Sequence, residues 1–158
     1  MWTYLVVAVI IGFMGWLQGR RGVVIGVVEV IGAYLGLWVA GSGAGPLAAS
    51  VKIFGPQAGQ VCFYVLLFVV WYAAFVAMSY AAERSSGFTM DEWDSVFGGL
   101  FGVVTGVFVC HVLFRAMLMA TSPDSSLAHT LNHTWISREI LYATSTKDLI
   151  HLGLTFKT

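Results

Sequence analysis

Charge is what this 158-residue chain has least of: Asp, Glu, Lys and Arg make up 10% of it, and eight acidic side chains balance eight basic ones. A water-soluble domain carries roughly a quarter charged residues because its surface must be solvated. An ordinary soluble fold is therefore excluded. Without net positive charge the chain also lacks the field that nucleic-acid binding requires, so no nucleic-acid partner is expected. Cysteine and proline are scarce too, at two and three residues. Cys62 and Cys110 lie in apolar runs with no CxxC spacing, which leaves neither a disulfide framework nor a cysteine-ligated metal, and both read as small buried hydrophobes. Met1-Trp2-Thr3-Tyr4 brings no Lys or Arg ahead of the first apolar run. The basic head of a secretory signal peptide is missing, so that run reads as a retained helix. GxSxG, HExxH and Walker motifs are absent as well, and the chain reads as a non-enzyme with no catalytic residue and no cofactor.

What the chain does have is apolar length, with 58% hydrophobic residues and a mean hydropathy of +0.83. A helix crosses the hydrocarbon core with about 20 apolar residues. Four runs reach that length: 2–19, 22–41, 61–82 and 96–120. Unpaired backbone groups are not tolerated in lipid, so these runs are helices, and the fold class is an all-α integral membrane bundle of four transmembrane helices. Residues 1–120 then form the four-helix transmembrane domain and residues 121–158 a polar, amphipathic C-terminal tail. In the tail, Leu127, Leu131 and Trp135 recur every four residues, which predicts a surface helix over 125–143. A second short helix is expected from Ser145, where Asp148 completes a capping pattern. The segment 42–60, rich in Gly and Pro, is expected to break the second span and form a short helix on the outer leaflet. His129 and His133 stand four residues apart without an evident third ligand, so no metal site is expected and both read as exposed polar positions. Arg115 reads as a residue that snorkels to the headgroups.

Eighteen glycines make a packing signal, because close backbone approach is what drives helix association in lipid. Gly98, Gly102 and Gly106 form a three-step ladder, Gly22 and Gly26 a two-step one, and Gly12, Gly15 and Gly19 a comparable stripe. These glycines are expected at helix crossings. Gly22 to Glu29 also aligns with Gly98 to Thr105 at constant offset, which suggests two related hairpins, helices one–two and three–four.

These residues carry a family likeness. Arg21-Gly22 at the head of the second span, Gly32 and Gly36 within it, and Asp94-x3-Gly98-x3-Gly102-x3-Gly106 opening the fourth resemble the CvpA family, the colicin V production proteins. The likeness covers roughly residues 1–120. It implies a small multi-pass protein of the bacterial inner membrane with a part in colicin V production or export, a toxin-biosynthesis role, and in cell-envelope homeostasis. Ser95, Thr105 and Gly26 stand where the family often has charged residues.

Glu29 is the one acidic residue inside a span. It follows Gly22 by seven residues, so it lies about 20° from that glycine around the helix and points toward other helices, level with Thr105. Two readings stay open: a protonated carboxyl acting as interhelical glue, or a proton- or ion-binding site formed by Glu29 and Thr105. Three function classes follow. The favoured one is an accessory or scaffold protein whose partners are the lipid bilayer, other membrane or envelope proteins, or a second copy in a homo-oligomer. The alternatives are a small oligomeric transporter or channel using Glu29, and a membrane enzyme.

Arg20, Arg21 and Arg84 in the first and third loops outnumber Lys52 and Arg115 on the other side, so both termini are expected outside. Alkaline phosphatase fused after Thr158 should be active and a fluorescent protein there dark; the reverse pattern contradicts the orientation.

Overall fold

The computed structural model describes residues 2–51, 55–86, 92–122 and 124–143. They form six helices, α1 (Trp2–Gly19), α2 (Val23–Ser50), α3 (Pro56–Ser86), α4 (Glu92–Ala120), α5 (Ser126–His133) and α6 (Trp135–Ala143). Four of these, α1 to α4, are long and apolar enough to cross a membrane. Residues 144–158, and with them the helix expected from Ser145, lie outside the described residues.

The second span runs further than its composition suggests. Rather than breaking at Gly41, α2 continues to Ser50 with Pro46 inside it, so no separate helix begins in 42–50. Ala40 and Ala44 are buried there with Tyr64 and Phe68, and a methyl on Gly43 would touch Leu67. Of the glycines that read as breakers Gly43 faces α3, while a methyl on Gly41 or Gly45 would meet nothing within 4 Å; internal hydrogen bonding holds the helix through them where water cannot compete for its backbone.

The tail also differs from expectation. Instead of one helix over 125–143, the chain breaks at Thr134 between α5 and α6. Ser125 caps α5 by accepting a hydrogen bond from the Ala128 N–H at 3.1 Å, and Ser137 donates to the Leu131 carbonyl at 2.6 Å across the break. The break lets Leu131 and Ile140 both reach the bundle. They join Val7, Cys110 and Phe114 in a buried cluster at the end of the bundle opposite Arg20-Arg21. His111, itself buried, lies with Nδ1 3.0 Å from the Ile140 carbonyl and ties α6 to α4.

The two helices joined by the tightest turn are not each other's principal partners. A tight turn joins α1 to α2, yet α1 packs mainly on α4 and α2 mainly on α3, while α2 also crosses α4. The ladder explains the first pairing. A methyl on Gly98 would lie 2.6 Å from the Gln18 carbonyl oxygen, one on Gly102 2.7 Å from Gly15 Cα, and one on Gly106 2.9 Å from Ile11 Cα. On α1 the stripe is shorter than its spacing implies. Gly15 and Gly19 face α4, but a methyl on Gly12 would meet nothing within 4 Å. Gly26 serves the α2–α4 crossing, 2.9 Å from Phe101 Cβ by the same measure.

Gly22 has a different task. Its φ of +94° turns the chain from α1 into α2, and it has no side chain with which to cap the new helix. Asp94 on α4 does so instead: its Oδ1 accepts the Val23 N–H at 2.9 Å, placing an acidic group at the positive end of α2. Asp94→Ala should cost about 1 kcal/mol, the scale of a lost cap. Gly102→Leu should abolish the folded bundle, since two backbones would have to part. A thermal midpoint in detergent unchanged from wild type would show that this face looks into lipid.

Candidate functional site

One polar cluster inside the bundle draws a side chain from each spanning helix. Glu29, about 10 Å into α2, is fully buried. Its Oε2 accepts from Gln18 Nε2 on α1 at 2.6 Å and from the Tyr72 hydroxyl on α3 at 2.9 Å. Its Oε1 accepts from Arg21 Nη1 in the α1–α2 turn at 3.2 Å, an ion pair in which the arginine is 28% exposed and the carboxylate 1%. Gln18 Nε2 also donates to Thr105 Oγ1 on α4 at 3.2 Å, while that hydroxyl donates to its own helix at the Phe101 carbonyl, 3.0 Å away. The Thr105 oxygen therefore keeps a lone pair for Gln18.

The electrostatics follow from that donor set. Arg21, Gln18 and Tyr72 all present hydrogens, so the carboxylate sits in a shell of donors. A bare cation needs oxygen lone pairs, and here both Glu29 oxygens are already turned to protein hydrogens. Burying a charge is costly unless it is paired and hydrogen-bonded, and both conditions are met. Gln18 Oε1 is the one buried polar side-chain atom of the cluster without a hydrogen-bond partner among the described residues.

Position along the helices makes the cluster possible. Gln18 stands in the last turn of α1, and Gly19 and Gly98 bring that turn against α4, so its amide reaches Thr105. Arg21 follows where the chain reverses, and its guanidinium lies with Cζ 5.5 Å over the Tyr80 ring on α3. Gly32 lets α2 and α3 approach at Phe75, three residues from Tyr72.

Glu29 and Thr105, which sequence places level with each other, share the Gln18 amide as a bridge. Gly98, Gly102 and Gly106 lie on the α1–α4 contact, Gly26 on the α2–α4 contact and Gly22 in the turn. Sequence reasoning missed Gln18, Arg21 and Tyr72 as partners of Glu29. Gln18 could have been found as a polar residue inside an otherwise apolar run; Arg21 stands out in the sequence through the loop charge count and the Arg21-Gly22 likeness, not as a partner of Glu29.

With the geometry in hand, comparison with known proteins narrows the field. The model of the family described as Colicin V production protein matches residues 4–145. This chain belongs to the colicin V production protein family. The match extends beyond the four spans through α5 and α6, so the docked tail is part of what the family model covers. No curated protein and no solved structure matches the chain.

The remaining polar candidates lie elsewhere. His129 and His133 stack on exposed faces of α5 with ring centroids 4.1 Å apart, and no group of three metal-ligating side chains occurs among the described residues. Arg115 lies with Cζ 5.6 Å over the ring of the buried Tyr64. Cys110 is buried as expected, but Cys62 is exposed on α3.

Because removing one partner of a buried pair strands the other, Arg21→Ala should destabilise the protein by about 3 kcal/mol. Tyr72→Phe, which deletes one hydrogen bond, should cost about 1 kcal/mol. Thermal or denaturant unfolding in detergent checks both; an Arg21→Ala protein as stable as wild type would show that the ion pair holds nothing together.

Proposed function

We propose that this protein is an accessory or scaffold protein of the bacterial inner membrane, acting in colicin V production or export and in cell-envelope homeostasis. It offers a rigid membrane-embedded body to other membrane or envelope proteins, or to a second copy of itself, and has no catalytic role. The observation that carries this reading is the Glu29 cluster. Its donors point inward at one carboxylate, and the four spans are joined by it rather than parted around a polar path. A solute pathway through a membrane requires several polar groups facing an open route. Elsewhere the spans expose many large apolar side chains, among them Leu5, Phe13, Trp38, Val69 and Leu100, as a lipid- or protein-facing surface requires.

In the same reading both termini lie outside, which puts the docked α5–α6 tail on the periplasmic face. The exposed Trp135 on α6 and the exposed pair Arg138 and Glu139 would then meet envelope partners there. Affinity purification from native membranes with mass spectrometry tests the proposal. A reproducible envelope protein recovered with wild type and lost when α6 carries Trp135→Asp and Arg138→Glu supports it. Recovery of the protein alone and as a monomer, in a deletion strain that it restores to normal envelope tolerance, contradicts it.

A further inference from the structure

On the free side of α5, away from the Glu29 cluster, two imidazoles lie together. His129 and His133 are one helical turn apart and exposed, with ring centroids 4.1 Å apart and ring planes inclined by 27°. Neither side chain has a hydrogen bond or ion pair among the described residues. The opposite face of the helix is fixed: Ala128 and Leu131 are buried, Leu131 in the cluster with Phe114 and Ile140, and Ser125 caps the first turn. The backbone that carries the two histidines is therefore held, while their rings stay free to turn.

A neutral imidazole offers a nitrogen lone pair to late first-row metal ions. At an imidazole–metal distance of about 2.0–2.1 Å, one ion joins two nitrogens about 3 Å apart. Rings 4.1 Å apart stand close to that separation, and rotation about each Cβ–Cγ bond, a soft torsion in histidine, aims one nitrogen of each at a common point. No third His, Cys, Asp or Glu joins them among the described residues, so water fills the remaining coordination positions.

That donor set selects the ion. Calcium and magnesium require oxygen ligands, and structural zinc takes four protein ligands. Cu(II) stands highest in the affinity order and accepts a tetragonal set of nitrogen and oxygen, which two imidazoles and water supply. The surroundings do not oppose a cation. Arg115, Asp124, Arg138 and Glu139, the charged side chains described at this end of the bundle, cancel one another, and His133 stands in the last turn of α5, at the negative end of its dipole.

We propose that His129 and His133 chelate one Cu(II) ion, which staples the last turn of α5 ahead of the break at Thr134. Leu131 lies between the two ligands in sequence and carries the contact with the bundle, so the ion also steadies the docked tail.

The full-length protein, purified in detergent without a polyhistidine tag, tests this by copper titration and electron paramagnetic resonance. It carries Cys62→Ala, because an exposed thiol would itself react with copper. One ion per chain with two imidazole nitrogens in its spectrum is expected. His129→Ala or His133→Ala should each weaken binding by about tenfold or more. Both positions are exposed, so without metal these variants should unfold where the parent does. At about a hundred times its dissociation constant copper should raise the parent's thermal midpoint by about 5 °C and leave the two variants unmoved. Calcium and magnesium should do nothing to any of the three. Copper affinity unchanged by both substitutions would mark the ion as adventitious and overturn the proposal. A parent midpoint that copper does not raise overturns it as well.

Discussion

The absence of water inside the bilayer governs this structure, because every polar group placed there must find its partner within the chain. Glu29 is the most demanding case: a carboxylate, fully buried, about 10 Å into a span. It is satisfied by groups from three other parts of the chain, and those groups meet only if the helices stand at fixed depth and rotation. Moving α1 by one residue would carry Gln18 away from both Glu29 and Thr105. The cluster therefore sets the relative register of the bundle, in the way a buried polar group selects one arrangement among several of similar apolar packing.

Close approach is the condition under which that register exists. Gln18 is a short reach from Thr105 because Gly98 and Gly102 admit the α1 backbone, and the same contact carries Asp94 to the start of α2. The Asp-Gly ladder thus does two jobs with one spacing. Its first residue caps a neighbouring helix, and its glycines hold the cap and the amide bridge at the correct distance. At the other end of the bundle a different device closes the fold: Leu131 and Ile140 fill the space beside Phe114, and His111 holds the α6 backbone.

Sequence made the four spans plain, since 18 or more apolar residues leave no other structure available in lipid. It also singled out Glu29, Thr105 and the glycines. The length of α2 was not legible because Gly41, Gly43, Gly45 and Pro46 look like breakers by the standards of soluble chains, whereas a helix whose backbone has no water to turn to runs through them. The pairing α1–α4 and α2–α3 was not legible either. The offset between Gly22–Glu29 and Gly98–Thr105 suggested two related hairpins, one–two and three–four, whereas the main contacts are α1 with α4 and α2 with α3; of the aligned residues Gly98 lies against Gly22, Gly102 lies against Gly15 on α1, and Glu29 and Thr105 share the Gln18 amide. The partners of Glu29 lie 8, 11 and 43 residues away, and no periodicity within one helix encodes such contacts. Break positions such as Thr134 escaped for a similar reason, because they answer to where Ile140 must land.

In the role proposed for it, Glu29 locks the bundle and is not a waypoint for ions or protons. The most direct measurement is flux through purified protein in sealed liposomes under an imposed pH gradient and membrane potential, with cation- and proton-sensitive dyes inside. Wild type and Glu29→Gln should both match empty liposomes. A sustained flux in wild type that disappears in a folded Glu29→Gln protein would contradict the account.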